Sequence, residues 1–316
     1  MATILSHEVR PHAPEAHPLK RHRQRRTVGR NLWWFVVPAV VVYLYVVVIP
    51  TAQGMYMSFT NWSVYSPTHH WVGMRNYSTI FEDQTSSDIL VRTVLIAAAV
   101  TVIQNVVGLL LAIVLNTRVF GRNVLRTIIF APVIVSPLVC GYLFKYLFAP
   151  QGIGAVNDVL KSVGLGHLQQ DWLGQPGTAL TAVIIVVCWQ FVGLSMVIYL
   201  AGLQGIPPDL LEAAAIDGAG AWRRFWYVMR PMLAPAFTIN LMLSLIAGLK
   251  IFDQIYATTS GGPAGQTDTI STLIYKQFNI VGDYSLSAAM AVALAVAVTI
   301  LSLIQFAVLR RQKGNQ

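Results

Sequence analysis

Apolar residues in this sequence are concentrated in six long runs that are nearly free of charge and are separated by polar segments. The runs cover roughly residues 32–53, 93–116, 124–148, 179–201, 231–252 and 286–309. A helix needs about 20 residues to cross roughly 30 Å of hydrocarbon, and each run meets that length. Helices also pair their own backbone polar groups, as a lipid environment requires. The pattern therefore predicts an all-α, polytopic membrane protein with about six transmembrane helices.

Composition and charge agree with a membrane location. Hydrophobic residues make up 55% of the chain and charged residues 11%, whereas a soluble domain carries about 25% charged residues. The net charge of +9 would suit nucleic acid if the basic residues formed one soluble face, but most of them flank the apolar runs. We therefore expect membrane lipid, and no nucleic acid, as the partner of these charges.

The distribution of basic residues predicts the orientation of the chain. Sixteen lie in the N-terminal tail, between the second and third runs, between the fourth and fifth runs, and at the C-terminus: Arg10, Lys20, Arg21, Arg23, Arg25, Arg26, Arg30, Arg118, Arg122, Arg126, Arg223, Arg224, Arg230, Arg310, Arg311 and Lys313. The opposite side has four: Arg75, Arg92, Lys161 and Lys276. The positive-inside bias then places both termini in the cytoplasm. Residues 1–30 are predicted to be a disordered basic cytoplasmic tail, and 31–316 the transmembrane domain.

Catalytic chemistry is not expected within this chain. A phosphate-binding loop needs a lysine directly after a glycine, and no such step occurs. The predicted spans contain no histidine and no deep pair of carboxylates, and Cys140 and Cys188 are expected to be packing residues. We predict no catalytic residue, no metal site and no cofactor. An ion-coupled secondary carrier stays an alternative, because sodium sites can be built from carbonyls and hydroxyls.

A long polar segment, residues 201–235, interrupts the pattern between the fourth and fifth runs. It begins with two helix-stopping prolines. We predict Asp209 as the N-cap of a short helix, Leu210–Ile216, with the carboxylate of Glu212 at the capping-box spacing. A glycine-rich turn then precedes a second short helix, Trp222–Met229. The residues alone leave two interpretations open, a self-capped surface loop and a docking surface for another protein.

The same segment carries a family resemblance. Glu212-Ala213-Ala214, three residues and then Gly218 resemble the EAA loop of permease subunits of ABC importers, which inserts into a cleft of the cytoplasmic ATPase. Other segments resemble the maltose-type sugar permeases: SFTNW at 58–62, VGMRNY at 72–77, GR at 121–122, RTIIFAP at 126–132, WQ at 189–190, LAGLQGIP at 200–207 and FDQIYATTSGGP at 252–263. The resemblance extends from about residue 33 to the C-terminus. One departure is the end of the loop, where the family's Ile-x-Leu-Pro is replaced by a sequence ending Arg230-Pro231.

The resemblance implies the permease domain of a type I ABC importer, with its EAA loop at about 202–231, in a bacterial or archaeal inner membrane. Such a subunit moves a sugar or related solute from an external binding protein to the cytoplasm. A separate ATPase dimer drives the movement, so the chain itself is not an enzyme. The segment at 252–263 resembles the first of two unlike permeases, which implies a heterodimer. A polyol, an amino sugar or glycerol phosphate are alternative solutes.

The resemblance also implies functional residues. For ATPase coupling they are Glu212, Ala213, Ala214, Asp217 and Gly218. Maltose-type relatives hold sugar on the helix before the EAA loop and on the helix before the Gly-Gly-Pro segment, which implies solute contacts at Gln190, Phe191, Leu194, Ser244, Gly248 and Ile251, near Val187. Only two of these, Gln190 and Ser244, have side chains that form hydrogen bonds, so the implied pocket is weakly polar. Next to it, Lys250 and Asp253 are predicted to form a local ion pair.

Overall fold

The computed structural model describes residues 33–66, 68–117 and 119–314. Within these ranges the regular secondary structure is helical, apart from the isolated bridges Thr60 to Trp71 and Ser63 to Ser66. The predicted all-α class is therefore confirmed. The predicted disordered tail, residues 1–30, lies outside the described residues.

The chain forms fifteen α-helices within the described ranges. They are α1 Trp33–Tyr43, α2 Ile49–Met57, α3 Arg75–Glu82, α4 Gln84–Asn116, α5 Arg122–Phe130, α6 Pro137–Leu147, α7 Ala155–Ser162, α8 Pro176–Gln204, α9 Pro208–Ile216, α10 Ala221–Arg224, α11 Arg230–Met232, α12 Ala234–Leu249, α13 Asp253–Thr258, α14 Ile270–Lys276 and α15 Tyr284–Gly314. Turns of π-helix join α1 to α2, α10 to α11, and follow α14.

Four stretches of helix are long and apolar enough to cross a membrane: Trp34–Met57, Gln84–Asn116, Pro176–Gln204 and Tyr284–Ala307. Two bent pairs of helices raise the count to six if each pair is one span. The predicted number of spans is reached only in this way. Two compact units are distinguished, the first ending at Thr51 and the second beginning at Ala52, and the site described below lies wholly in the second.

The third predicted span, 124–148, is wrong as a continuous helix. The chain runs from Arg122 to Ile134, breaks, and resumes at Pro137 with a bend of 100°. Two prolines explain the break. Pro132 and Pro137 cannot donate a backbone hydrogen bond, and a residue before proline avoids the helical conformation. Ser136, which precedes Pro137, is accordingly extended, with ψ of 135°.

The fifth predicted span, 231–252, is also corrected. Its straight part, α12, ends at Leu249, and helical chain from Ala221 to Met232 leads into it through a bend of 72°. The second short helix therefore does not stop before Pro231, as predicted, but continues to Met232. The bend falls just ahead of Pro235, whose missing N–H interrupts the hydrogen-bond ladder. Residues 221–232 thus form a separate arm that precedes the N-terminus of α12.

A central group of three helices, α4, α8 and α12, forms the core of the second unit. Buried apolar side chains from each helix meet there, among them Leu115, Met196 and Ala236. A polar network crosses the same contact. Asn105 of α4 accepts a hydrogen bond from the Tyr199 hydroxyl of α8, and its amide donates to Ser244 Oγ of α12 at 2.9 Å. Because these buried groups satisfy one another, the network holds the three helices in one register.

Candidate functional site

The loop between α8 and α12 begins differently from the prediction. The short helix α9 starts at Pro208, with Pro207 in the capping position and no side-chain hydrogen bond at the cap. Asp209 is therefore not the N-cap, and that prediction is wrong. Proline suits the first helical position because its ring fixes φ and it has no N–H to leave unpaired. Asp209 instead lies in the first turn, where a carboxylate is favourable to the helix dipole.

The end of α9 is a Schellman motif. The N–H of Ala219 donates to the carbonyl of Ala214 at 2.9 Å, and the N–H of Gly218 donates to the carbonyl of Ala215 at 3.1 Å. Gly218 has the left-handed conformation, with φ of 76°, that this motif requires at the position after the cap. Only glycine adopts it without strain. The turn that ends α9 therefore depends on Gly218.

The two faces of α9 have opposite environments. Leu211 packs against the buried core cluster of α4, α8 and α12, and Ala214 is half-buried. The opposite face exposes Glu212, Ala213 and Ile216, which follow the spacing of one helical face. Ile216 is 87% exposed. The exposed face of α9 thus combines one large apolar side chain with one carboxylate.

The predicted coupling residues lie together at this surface. Glu212, Ala213, Asp217 and Gly218 are exposed, and Ala214 lies at the edge of the packed face. Ile216, which the sequence analysis did not single out, lies on the same exposed face. The available signal was its position three and four residues after Ala213 and Glu212, which places the three side chains on one face of a helix.

The base of the loop is fastened to the core helices. Leu203 near the end of α8 and Ile206 in the connection to α9 are 4% and 6% exposed, and they pack with the fully buried Leu233. Tyr199 packs its ring edge-on against Phe237 of α12 at 4.9 Å between centroids. Side-chain contacts therefore join the connection before α9 to α8 and to the start of α12.

Gln190, a predicted solute contact on α8, is fully buried. Its amide nitrogen donates to the carbonyl of Val135 at 2.8 Å, and its amide oxygen accepts from Gln254 Nε2 at 2.8 Å. Both ends of the amide thus have partners within the chain. Gln190 links the break between α5 and α6 to α13.

The three predicted contacts near the end of the fifth span are also packed. Ser244 Oγ donates to the carbonyl of Asn240 at 2.8 Å besides accepting from Asn105. Gly248 lies so close to α4 that an added Cβ would come within 2.8 Å of Ala97 Cα, and Ile251 belongs to a buried apolar cluster. Phe191 and Leu194 are half-buried. Four of the six positions are therefore buried in contacts within the chain in this conformation.

An aromatic group that the sequence analysis did not single out lies next to these positions. Phe252 stacks on Tyr256 with 5.3 Å between centroids, and Tyr275 contacts both rings at 5.4 and 5.1 Å. All three side chains are partly exposed. They present flat apolar faces together with two hydroxyl groups, a combination that ligand sites use frequently.

The segment after α13 is held by polar contacts, and its ion pair differs from the prediction. Lys250 and Asp253 are both exposed and form no salt bridge, so that predicted pair is wrong. The salt bridge found in the described part of the chain joins Lys276 to the buried Asp268 at 2.7 Å. Arg92 also donates to the carbonyl of Gly265. These contacts fasten the loop that follows Gly-Gly-Pro to α4 and α14.

Comparisons with known protein sequences agree on one kind of protein. Residues 104–314 match the family described as "Binding-protein-dependent transport system inner membrane component". The multiple sugar-binding transport system permease protein MsmF of Streptococcus mutans is 33% identical over 273 residues, which cover 86% of this chain and 93% of MsmF. The sn-glycerol-3-phosphate transport system permease protein UgpA of Agrobacterium fabrum is 31% identical, with coverage of 86% and 92%.

Solved structures show the same fold. A chain of a bacterial ABC transporter involved in the import of the acidic polysaccharide alginate superposes with a TM-score of 0.77 at 24% identity, covering 89% of this chain and 95% of its own. A second structure of the alginate transporter, in complex with an alginate pentasaccharide-bound periplasmic protein, also gives a TM-score of 0.77, with coverage of 89% and 94%. The chain therefore shares its overall fold with these transporter chains.

Proposed function

Because this chain belongs to the family of binding-protein-dependent transport system inner membrane components and is the permease subunit of an ABC importer, we propose that it carries a sugar or a related solute into the cytoplasm. The observation that supports this mechanism is that α9 has two different faces. One face is exposed, and the other packs on the core of α4, α8 and α12. A separate ATPase dimer docks on that face and supplies the energy.

The coupling residues have distinct roles in this proposal. Glu212 supplies a charged contact to the ATPase, while Ala213 and Ala214 permit close approach because their side chains are small. Asp217 and Gly218 form the turn that sets the direction of the following arm. When ATP closes the ATPase dimer, α9 moves as a rigid body with its cleft, and the core helices change between inward- and outward-facing states. ATPase and solute are coupled because each prefers one of these states.

The orientation follows from the location of the basic residues. Arg223, Arg224 and Arg230 lie on the arm after α9, and the positive-inside bias places such residues in the cytoplasm. We infer that both termini and the EAA loop are cytoplasmic. The segments 54–92, 149–178 and 253–285 then face outward, where an external binding protein delivers solute.

The solute site is proposed on α8 and near the end of α12, as the family resemblance implies. In the present conformation Gln190, Ser244, Gly248 and Ile251 are engaged in helix contacts, so they meet solute only if the helices separate. Phe191 and Leu194 are more accessible. A sugar suits this weakly polar region better than a phosphate ester, because α8 and α12 contain no lysine or arginine to pair with a phosphate.

The proposed assembly is tested by its subunit composition. We expect the tagged chain, purified in mild detergent from its native membrane, to be accompanied by two ATPase copies and one unlike permease. Native mass spectrometry measures the masses and their stoichiometry, and the 34.8 kDa chain should occur once in each assembly. Two copies would replace the heterodimer by a homodimer. A chain that purifies alone and transports without ATP would contradict the importer function itself.

A further inference from the structure

A groove of about 730 Å³ lies between α4, α9 and the arm formed by residues 221–232. It is distinct from the exposed face of α9 and from the proposed solute positions. Its walls are apolar, with side chains such as Leu109, Leu110 and Ile113 from α4 and Phe225 and Met229 from the arm. The walls therefore suit a hydrocarbon chain.

The arginines of the groove belong to the arm. Arg224 and Arg230 both line it, and none of the described residues that line it is acidic. The guanidinium carbon of Arg230 lies 5.0 Å from the centroid of the Trp226 ring, a cation–π contact that keeps the cation beside the groove. The groove thus combines apolar walls with two uncompensated positive charges.

The location of the groove fits the boundary between lipid and cytoplasm. The arm bends by 72° into the membrane-spanning α12, and it carries Trp222 and Trp226, which are 72% and 39% exposed. Tryptophan is enriched at the depth of lipid headgroups. With the orientation inferred above, the groove lies at the level of the lipid headgroups of the inner leaflet.

We propose that the groove binds one anionic phospholipid, with an acyl chain between α4 and the arm and the phosphate at Arg224 and Arg230. Basic pockets between transmembrane helices on the cytoplasmic side bind anionic headgroups, and arginine pairs with phosphate through two parallel hydrogen bonds. A lipid with no net charge would make the same apolar contacts in the groove. It would not neutralise the positive charges of the two arginines.

A lipid in this groove would also contact the coupling loop. Leu211 of α9 lines the groove on the side opposite the exposed docking face. The lipid would therefore stabilise α9 in its packed position against the core helices. Anionic lipid content of the membrane becomes a regulator of coupling, separate from ATP and solute.

The test uses the purified assembly containing the full chain in detergent, with dioleoyl phosphatidylglycerol and dioleoyl phosphatidylcholine as probes. Binding is measured by native mass spectrometry over a lipid titration. Two arginines near an anionic headgroup predict about a thirtyfold preference for phosphatidylglycerol. In the Arg224→Gln/Arg230→Gln variant the preference should fall to within about twofold.

A matched control separates the groove from general surface charge. Arg223 lies on the same arm but does not line the groove, so Arg223→Gln should keep the preference of the wild-type chain. A second variant, Leu110→Trp, narrows the groove without changing charge and should weaken the binding of phosphatidylglycerol. This variant keeps the proposal testable if the double arginine variant fails to fold.

Three results would overturn the proposal. The first is equal binding of the two lipids to the wild-type assembly. The second is an equal loss of preference in Arg223→Gln and in the double variant, which would assign the effect to surface charge. The third is cross-linking of a photoactivatable phosphatidylglycerol only to segments that do not line the groove, that is, outside 106–113, Leu211, 221–230 and Phe237.

Discussion

Replacing Gly218 by alanine is expected to reduce solute-stimulated ATP hydrolysis by the assembled importer by up to about thirtyfold, with no change in the amount of chain in the membrane. The added Cβ meets no atom within 4 Å, so the substitution causes no clash. Its cost is the left-handed conformation at φ of 76°, about 1–2 kcal/mol for a residue other than glycine. A cost of that size lowers the equilibrium ratio of molecules with the Schellman turn to molecules without it by about five- to thirtyfold, and this factor is the upper bound on the loss of coupled hydrolysis.

The matched control for this prediction is two residues further along the loop. Gly220 also has open space around its Cβ position, but its φ is −64°, which alanine adopts readily. Gly220→Ala should hydrolyse ATP at close to the wild-type rate. Hydrolysis is measured in proteoliposomes with and without solute-loaded binding protein. Equal losses in the two variants would show that the loop tolerates no added methyl group, and the role of the turn would be wrong.

Replacing Ile216 by aspartate is expected to weaken association with the ATPase by at least about thirtyfold. Ile216 is 87% exposed and lies on the same face of α9 as Glu212. A central apolar contact of a docking surface contributes about 2 kcal/mol or more when it is covered, and a charge in its place would be buried without a partner. An exposed side chain has little influence on the folded chain by itself, within about 0.5 kcal/mol.

The measurement is the dissociation constant of the ATPase subunit from the permease in detergent, with the melting temperature of the permease as a check on folding. Ile153→Asp is the control, because Ile153 is 68% exposed on the segment inferred to face outward. It should bind the ATPase with unchanged affinity. Wild-type affinity in Ile216→Asp would remove this residue, and the face it shares with Glu212, from the docking surface.

Hydropathy identified the apolar runs but not their shape. Long charge-free stretches are easily recognised because lipid demands them, and four of them form long helices. The two breaks depend on Pro132, Pro137 and Pro235, which are visible in the sequence. A proline in a membrane helix is tolerated or disruptive according to what packs around it, and that information is tertiary. The bends of 100° and 72° could not be calculated from the runs.

Local rules competed at the start of α9. Asp209 matches the preference for an acidic N-cap, while Pro208 matches the preference for proline at the first helical position. Both rules cannot hold at this spacing. The helix begins at Pro208, because the proline ring fixes φ at a helical value. The end of the same helix was more predictable, since glycine after a short helix commonly marks a left-handed turn.

The neighbours of the proposed solute-contact residues could not be predicted from the sequence. Gln190 forms hydrogen bonds with Val135 and Gln254, which are 55 and 64 residues away in the chain. Ser244 forms a hydrogen bond with Asn105, which is 139 residues away. A resemblance can propose that a residue touches solute, but such distant partners are known only from the fold. The aromatic group of Phe252, Tyr256 and Tyr275 was missed for the same reason.

The central claim, that this chain is a pore subunit without an energy source of its own, is tested most directly by uptake of radiolabelled sugars into proteoliposomes. Vesicles containing the complete assembly, with its solute-binding protein outside and ATP inside, should accumulate sugar. Vesicles containing this chain alone should accumulate none, with ATP or with a proton or sodium gradient. Accumulation by the chain alone under an ion gradient would contradict the account and establish a secondary carrier.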